Sequence, residues 1–326
     1  MRIVIPGGTG QLGTILQREL RARGHDVAVL GRRVADPALR WDGRSPGRWW
    51  DAIDGADAVV NLTGRSVSCR YRWENLAEMM SSRVESTIAV GQAIAAARRP
   101  PAVWLQASTA SIYAHTLGAP HDEATGVLGG HEPGVPAYWA YSVAIARAWE
   151  LALQAAPTPR TRRVALRTGF VMSPDAGGVF DWLVWLAERG LGGPFCGGRQ
   201  RVSFLTDLDL GRAVAFLLDH ESLEGPVNLT APHPVPNGEL MATLRAALGI
   251  RFALPILPPM ARLGAVMLGT DVELMLKSRR VIPGKLLEAG FGFALPRWDD
   301  AAPHLVDRIR ARRAAGEAAP AEREAA

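Results

Sequence analysis

The chain is nearly without lysine. Lysine and arginine together number 37 among 326 residues, yet only Lys277 and Lys285 are lysines, so no lysine precedes position 277. The net charge of +5 is carried by scattered arginines with no long basic run, which argues against nucleic acid as a partner. Cysteine is as scarce. Cys69 and Cys196 are too few for a disulfide framework and are not spaced as metal ligands, so no metal site is expected. Cys196, in a glycine-rich loop, reads as a bystander thiol. No uncharged apolar run reaches the roughly 18 residues of a membrane span, so no membrane partner is expected. The amino terminus passes at once into Arg2-Ile3-Val4-Ile5, a strand pattern without a secretory leader. A cytoplasmic location is the expectation. What the chain does hold is 48% hydrophobic and 21% charged residues, enough for one large core or two unequal lobes.

Over the first 170 residues, short apolar runs alternate with longer amphipathic stretches. Strands are expected at Ile3–Ile5, Asp26–Leu30, Ala58–Leu62, Ala102–Ala107 and Arg163–Arg167, with a weaker one near Leu39-Arg40-Trp41. Helices are expected at Gln11–Arg23, Glu74–Arg98 and Ala137–Ala156. In the first of these, Leu12, Ile15, Leu16 and Leu20 share a face and Gly24 follows as a cap. Continuous apolar strands in βαβ alternation predict an α/β fold, a Rossmann-type doubly wound parallel sheet covered on both faces. After Gly169 glycine and proline become dense. A helix at Leu210–Leu218, a strand at Pro226–Leu229, and helices at Leu240–Leu248 and Pro259–Leu276 then predict a smaller C-terminal α/β lobe.

The loop Pro6-Gly7-Gly8-Thr9-Gly10-Gln11-Leu12-Gly13 follows a strand and opens a helix. It satisfies Gly-x-Gly-x-x-Gly through Gly8, Gly10 and Gly13, and the wider Gly-x-x-Gly-x-x-Gly through Gly7, Gly10 and Gly13. Glycine permits the tight turn and lets backbone amides, those of Thr9 through Gly13 among them, approach a diphosphate at the helix N-terminus. An NAD site needs an acidic residue at the end of the second strand. Here that end reads Val29-Leu30-Gly31-Arg32-Arg33, and Asp26 stands at the strand's beginning. Arg32 and Arg33 suit a 2′-phosphate, which favours NADP(H) over NAD(H). Solvated loop charges are the plainer reading of the same pair.

With these residues in line beside Asn61-Leu62-Thr63-Gly64 and Ala107-Ser108-Thr109-Ala110-Ser111-Ile112-Tyr113, the sequence resembles the extended short-chain dehydrogenase/reductases. It is most similar to the epimerase-like branch (NAD-dependent epimerase/dehydratase-like) with a small uncharacterised C-terminal domain. Ser82-Arg83, Arg167-Thr168-Gly169, Gly192-Gly193-Pro194, Gly198-Arg199-Gln200, Pro226-Val227-Asn228 and the stretch Ile282–Phe291 carry the resemblance over roughly residues 1–300. It implies that Asn61, Thr63 and Gly64 lie near the adenine-side ribose, and that Glu78, Arg83 and Ser108 approach the cofactor. Gly169, Phe170 and Val171 would stand by the nicotinamide. The expected division is 1–226 for the nucleotide-binding domain, 227–310 for the substrate-side domain and 311–326 for a flexible tail.

The superfamily's chemistry uses a Ser or Thr hydroxyl and a Tyr-x-x-x-Lys pair one helical turn apart, whose ammonium lowers the phenol pKa. Thr109 stands where the hydroxyl residue belongs, four residues before Tyr113. The pair is incomplete: Ser142 follows Tyr138 by four and Ile145 follows Tyr141 by four. Tyr141 or Tyr138 remains as an acid with another activator, or as a packing aromatic. Asp207 and Asp209 read as helix-capping residues. His115, His121 and His131 read as surface histidines, and Trp182, Trp185, Phe180 and Phe195 as cleft or core aromatics. Two functions follow: an NADP(H)-dependent oxidoreductase or epimerase acting on a small molecule, a nucleotide-linked sugar among the candidates, or a non-catalytic NADP(H)-binding sensor or scaffold. Either is expected as a monomer or homodimer.

Overall fold

Hydrophobic residues at successive strand positions point to opposite faces of a sheet, so a strand that is apolar throughout must be covered twice. The computed structural model, which describes residues 1–175, 177–267 and 271–316, shows this arrangement. Its strands are β1 (Arg2–Pro6), β2 (Asp26–Leu30), β3 (Ala58–Asn61), β4 (Val103–Thr109), β5 (Arg162–Thr168), β6 (Phe170–Met172), β7 (Arg201–Val202), β8 (Phe204–Thr206), β9 (Gly225–Leu229) and β10 (Val235–Pro236). Six of them form one all-parallel sheet in the order β2-β1-β3-β4-β5-β9. The weak strand expected near Leu39–Trp41 contributes a single parallel bridge, Arg40 to Gly31, beyond β2.

The helices are α1 (Gln11–Ala22), α2 (Trp50–Ile53), α3 (Trp73–Ala96), α4 (Ala140–Gln154), α5 (Val179–Glu188), α6 (Asp207–Asp219), α7 (Asn237–Leu248), α8 (Pro258–Met267), α9 (Glu273–Leu276), α10 (Gly284–Glu288) and α11 (Trp298–Ala314). On one face of the sheet, Ile3, Ile5, Val60, Leu105, Val164 and Leu229 pack with Ile15 and Leu16 of α1 and with Leu210 and Val214 of α6. On the other, Val4, Val59, Trp104 and Ala165 pack with Val90 and Ile94 of α3 and Leu153 of α4. The chain runs from β1 outward to β2, then returns across β1 to β3. Strand order therefore reverses beside β1, and the crevice at the carboxyl ends of β1 and β3 is where such sheets bind ligands.

A second core gathers Met172, Phe180, Phe204, Leu240, Met241, Trp298, Leu305 and Val306. Around it lie the short pairs β6–β8 (parallel) and β7–β10 (antiparallel). The helix expected over 259–276 is divided into α8 and α9, with 268–270 outside the described residues. The expected tail begins inside α11, and 317–326 lie outside the described residues. The C-terminal chain also turns back into the large domain. Ser203 Oγ donates to Arg279 O, His121 N to Arg280 O, and Ile282 N to His121 O, at 2.8, 2.7 and 2.9 Å. These bonds hold residues 279–282 against Ser203, between β7 and β8, and against His121 in the loop that follows β4.

Candidate functional site

The glycine loop shows why each glycine is there. Gly7 has φ +73°, and a Cβ on it would stand 2.7 Å from the backbone of Thr63. A Cβ on Gly13 would stand 2.2 Å from Gly8 O, so glycine lets the helix close onto the strand end. Gly10 differs: a Cβ there meets only Gly7 O, at 3.9 Å, so the space beside it is open. Of the two spacings, the wider one through Gly7 carries the left-handed turn. No side chain caps α1 and no acidic residue sits in its first turn, which leaves a positive helix end facing that space.

Arg32 and Arg33 leave the end of β2 exposed, and among the described residues neither makes a hydrogen bond or ion pair. Gly31 packs on Thr9, which places this arginine pair beside the glycine loop. Asp26 stands at the opposite end of β2, in register with Arg2 of β1. Asn61, at the end of β3, is fully buried. Its amide donates to Gln106 Oε1 and its carbonyl accepts from Thr63 N, so it shapes the crevice wall. Thr63 Oγ1 is buried there with no hydrogen-bond partner, and such a group needs a ligand or water to offset its desolvation. Gly64 packs against Arg83. The Arg83 guanidinium is buried, donates to the carbonyls of Met79 and Arg65, and lies 4.9 Å from the Trp149 ring. Burial, uncompensated by any carboxylate among the described residues, brings it down to about 10. Glu78 is apart from these: it is exposed and paired with Arg65. Open glycine, bare helix end, orphan hydroxyl and unpaired arginines are the chemistry a dinucleotide requires.

At the neighbouring edge, Ser108 donates to Glu150, which binds Arg167 through two bonds of 2.8 Å. Arg167 also donates to the Tyr113 phenol. The Ser108 hydroxyl is thus committed to a buried network. Thr109 ends β4, and its Oγ1 accepts from Ser111 N at 3.1 Å. Tyr141 is 56% exposed, while the Tyr138 phenol donates to Asp271 at 3.3 Å. Gly169 fits tightly under Ser203 O, and Phe170 and Val171 enter β6, with the Arg279 guanidinium 5.3 Å from the Phe170 ring.

A cluster not anticipated from the sequence closes this edge. Lys277, 2% exposed, donates to Ser111 O at 2.9 Å, and Arg279 Nε donates to Ser111 Oγ at 2.8 Å. Buried Glu273 lies 3.9 Å from the Lys277 ammonium and accepts from Ser142. Tyr71 faces the same charges, and burial raises its phenol. The two-lysine census was the only hint, because nothing local ties residues 273–279 to position 111.

The other candidates fall into structural roles. Phe180 and Phe195 are core residues, while Trp182 and Trp185 form an edge pair at 5.5 Å. His121 is buried, not on the surface: it stacks on Tyr113 and bonds Ala114 O and Val127 N. His115 accepts from Ser278 N. Thr206 caps α6, whereas buried Asp207 binds Arg18 and Arg308, and buried Asp209 binds the amides of Ala294 and Leu295. No group of metal-ligating side chains occurs among the described residues, nor any helix long and apolar enough to cross a membrane.

A doubly wound parallel sheet with this first turn and this crevice defines a dinucleotide-binding protein of the short-chain dehydrogenase/reductase type. More narrowly, the chain belongs to the NAD dependent epimerase/dehydratase family, whose model matches residues 3–229; residues 259–305 match a domain of unknown function, DUF1731. It is similar to the human epimerase family protein SDR39U1, with 30% identity over 94% of this chain and 100% of that protein. An epimerase family protein of Mycobacterium tuberculosis is 32% identical over 89% of this chain and 93% of that protein. The crystal structure of human SDR39U1 (isoform 2) with NADPH superposes with a TM-score of 0.80, at 28% identity, covering 94% of this chain and 99% of that one. A nucleoside-diphosphate sugar epimerase from Corynebacterium glutamicum gives 0.72 at 25% identity, over 95% of this chain and 61% of that one.

Proposed function

We propose that the protein is an NADP(H)-dependent oxidoreductase that exchanges hydride with a small carbonyl or hydroxyl compound, a nucleotide-linked sugar among the candidates, held between the sheet's carboxyl edge and the C-terminal domain. The observation that carries the coenzyme is the unpaired Arg32–Arg33 at the end of β2, where a 2′-hydroxyl would call for a carboxylate. The NADPH in the human relative's crystal supports the same choice. Gly7–Gly13 and the first turn of α1 would hold the diphosphate, Thr63 and Gly64 the adenine-side ribose, and Gly169–Val171 the nicotinamide side. When bound, the coenzyme supplies the hydride; the Thr109 hydroxyl would orient the substrate oxygen.

Titration calorimetry with both coenzymes tests the reading. A charge-assisted contact contributes about 1.5–3 kcal/mol, so Arg32→Ala with Arg33→Ala should weaken NADPH roughly ten- to a hundredfold and NADH hardly at all. Equal losses would refute the 2′-phosphate assignment. Screening carbonyl compounds and sugar nucleotides for NADPH oxidation then tests catalysis, and Thr109→Ala should lower turnover without changing NADPH affinity. Ser142 and Ile145 standing where a lysine would complete the pair favour a second reading, a sensor that binds the coenzyme without turnover. Tight binding with no oxidation of any compound would select it.

A further inference from the structure

We propose that the C-terminal domain completes the catalytic centre, with Lys277 as the proton donor to the substrate oxygen and Glu273 as the residue that positions it. This rests on the oxidoreductase reading above. Ser142, Ala146 and Glu150 are spaced by four and share one face of α4. Glu150 engages the end of β4 through Ser108, and Ala146 is fully buried against Ala110, Ile112, Tyr113 and Val281. At 142 and 146 this face carries small side chains. Glu273 and Lys277, also four apart, enter from the other domain and come to the same place. The Lys277 ammonium sits on the carbonyl of Ser111, two residues past Thr109. Ser111 takes one of its three N–H donors and Glu273 lies 3.9 Å away, which leaves a donor for a ligand oxygen.

Glu273 carries the second, independent observation. Its Oε1 accepts from Ser142, while its Oε2 is buried with no hydrogen-bond partner. A half-satisfied carboxylate in such a place costs stability, and such costs concentrate at functional sites. The charged and titratable groups around Lys277 are Glu273, Arg279, Glu132 and His115, with Asp271 and the Tyr71 and Tyr138 phenols beside Glu273. Burial first, then Arg279, brings the ammonium down to about 8, close to where an acid–base group is most effective. In the reduction direction, bound NADPH would supply hydride to the carbonyl carbon, and Lys277 gives the proton to the carbonyl oxygen. The neutral amine regains a proton from water, so that carbonyl, NADPH and one proton give alcohol and NADP+.

Having only two lysines makes the test direct. In protein labelled with 15N-lysine, one Nζ signal should titrate near pH 8, vanish in Lys277→Met, and move when NADP+ is added, while the Lys285 signal stays put. Glu273→Gln should lower that midpoint by about half a unit or more, because a carboxylate favours the ammonium. With a compound found in the oxidation screen, Lys277→Met should keep NADPH affinity within about threefold and lose roughly 10²–10⁴ in kcat. Lys277→Arg restores the charge but cannot release a proton, so it should not restore kcat. A Lys277 signal indifferent to bound NADP+, or full kcat in either variant, overturns the proposal alone. Failure of the wild type to bind NADP+, or binding with no turnover, overturns the oxidoreductase reading and this inference with it.

Discussion

Two glycines of one loop do opposite work, and substitution separates them. A methyl at Gly13 collides with Gly8 O, and overpacking of this kind costs about 1–3 kcal/mol. Gly13→Ala should therefore lower the melting temperature whether or not coenzyme is present. A methyl at Gly10 meets nothing closer than 3.9 Å, so Gly10→Ala should melt like the wild type yet bind NADPH at least tenfold more weakly, as read by calorimetry. Equal stability losses in the two variants would contradict the assignment of Gly10 to the ligand face. This part of the site was legible in the sequence because its constraint is local: seven residues specify the turn, the helix start and the close approach. Lys277 was not. It reaches Ser111 across 166 residues, and no spacing rule connects a C-terminal domain to the end of β4. Nor does local spacing announce that the Ser108 hydroxyl bonds Glu150, which lies on a different element.

Strands β4 and β5 and helix α4 are locked together by one buried ion pair. Burial opposes the charge on Arg167, but its hydrogen bonds to Glu150 outweigh that and raise its pKa. Glu150→Ala would leave a buried guanidinium with only the Tyr113 phenol, and breaking such a pair costs about 3–5 kcal/mol. Adding Arg167→Met should recover part of that loss, because removing both charges is less harmful than stranding one. Urea denaturation of the single and double variants checks this; a double variant less stable than Glu150→Ala would contradict it. The six sheet strands were readable because each carries a short, mostly apolar run beside turn residues. Helices α5 and α11 were not. Phe180, Leu183 and Leu186 of α5 are embedded in a glycine- and proline-rich stretch, while Pro303 and the dense arginines of α11 hide Leu305, Val306 and Ile309. In both, tertiary packing overrides a weak local pattern.

At the scale of the molecule, the two cores are not separable segments. Leu286 and Phe291, which follow Lys277, pack into the core of the large sheet, whereas Met172 and Phe204, which precede β9, pack into the other core. Buried Asp207 joins them directly, binding Arg18 of α1 and Arg308 of α11. Chain crossing and shared ion pairs make the folded state one cooperative unit, so scanning calorimetry should show a single endotherm. Coenzyme binding turns this into a stricter measurement. NADPH held at a hundred times its Kd adds about 2.7 kcal/mol to whatever unit must unfold to release it. For a chain of this size that is a rise in Tm of roughly 4 °C. Because the glycine loop lies in one core and α11 in the other, the whole endotherm should move without broadening. A shift confined to part of the transition, with the remainder melting at its coenzyme-free temperature, would mean that the C-terminal domain unfolds independently of the crevice. That outcome would also leave Lys277 unable to act as a fixed part of the catalytic centre.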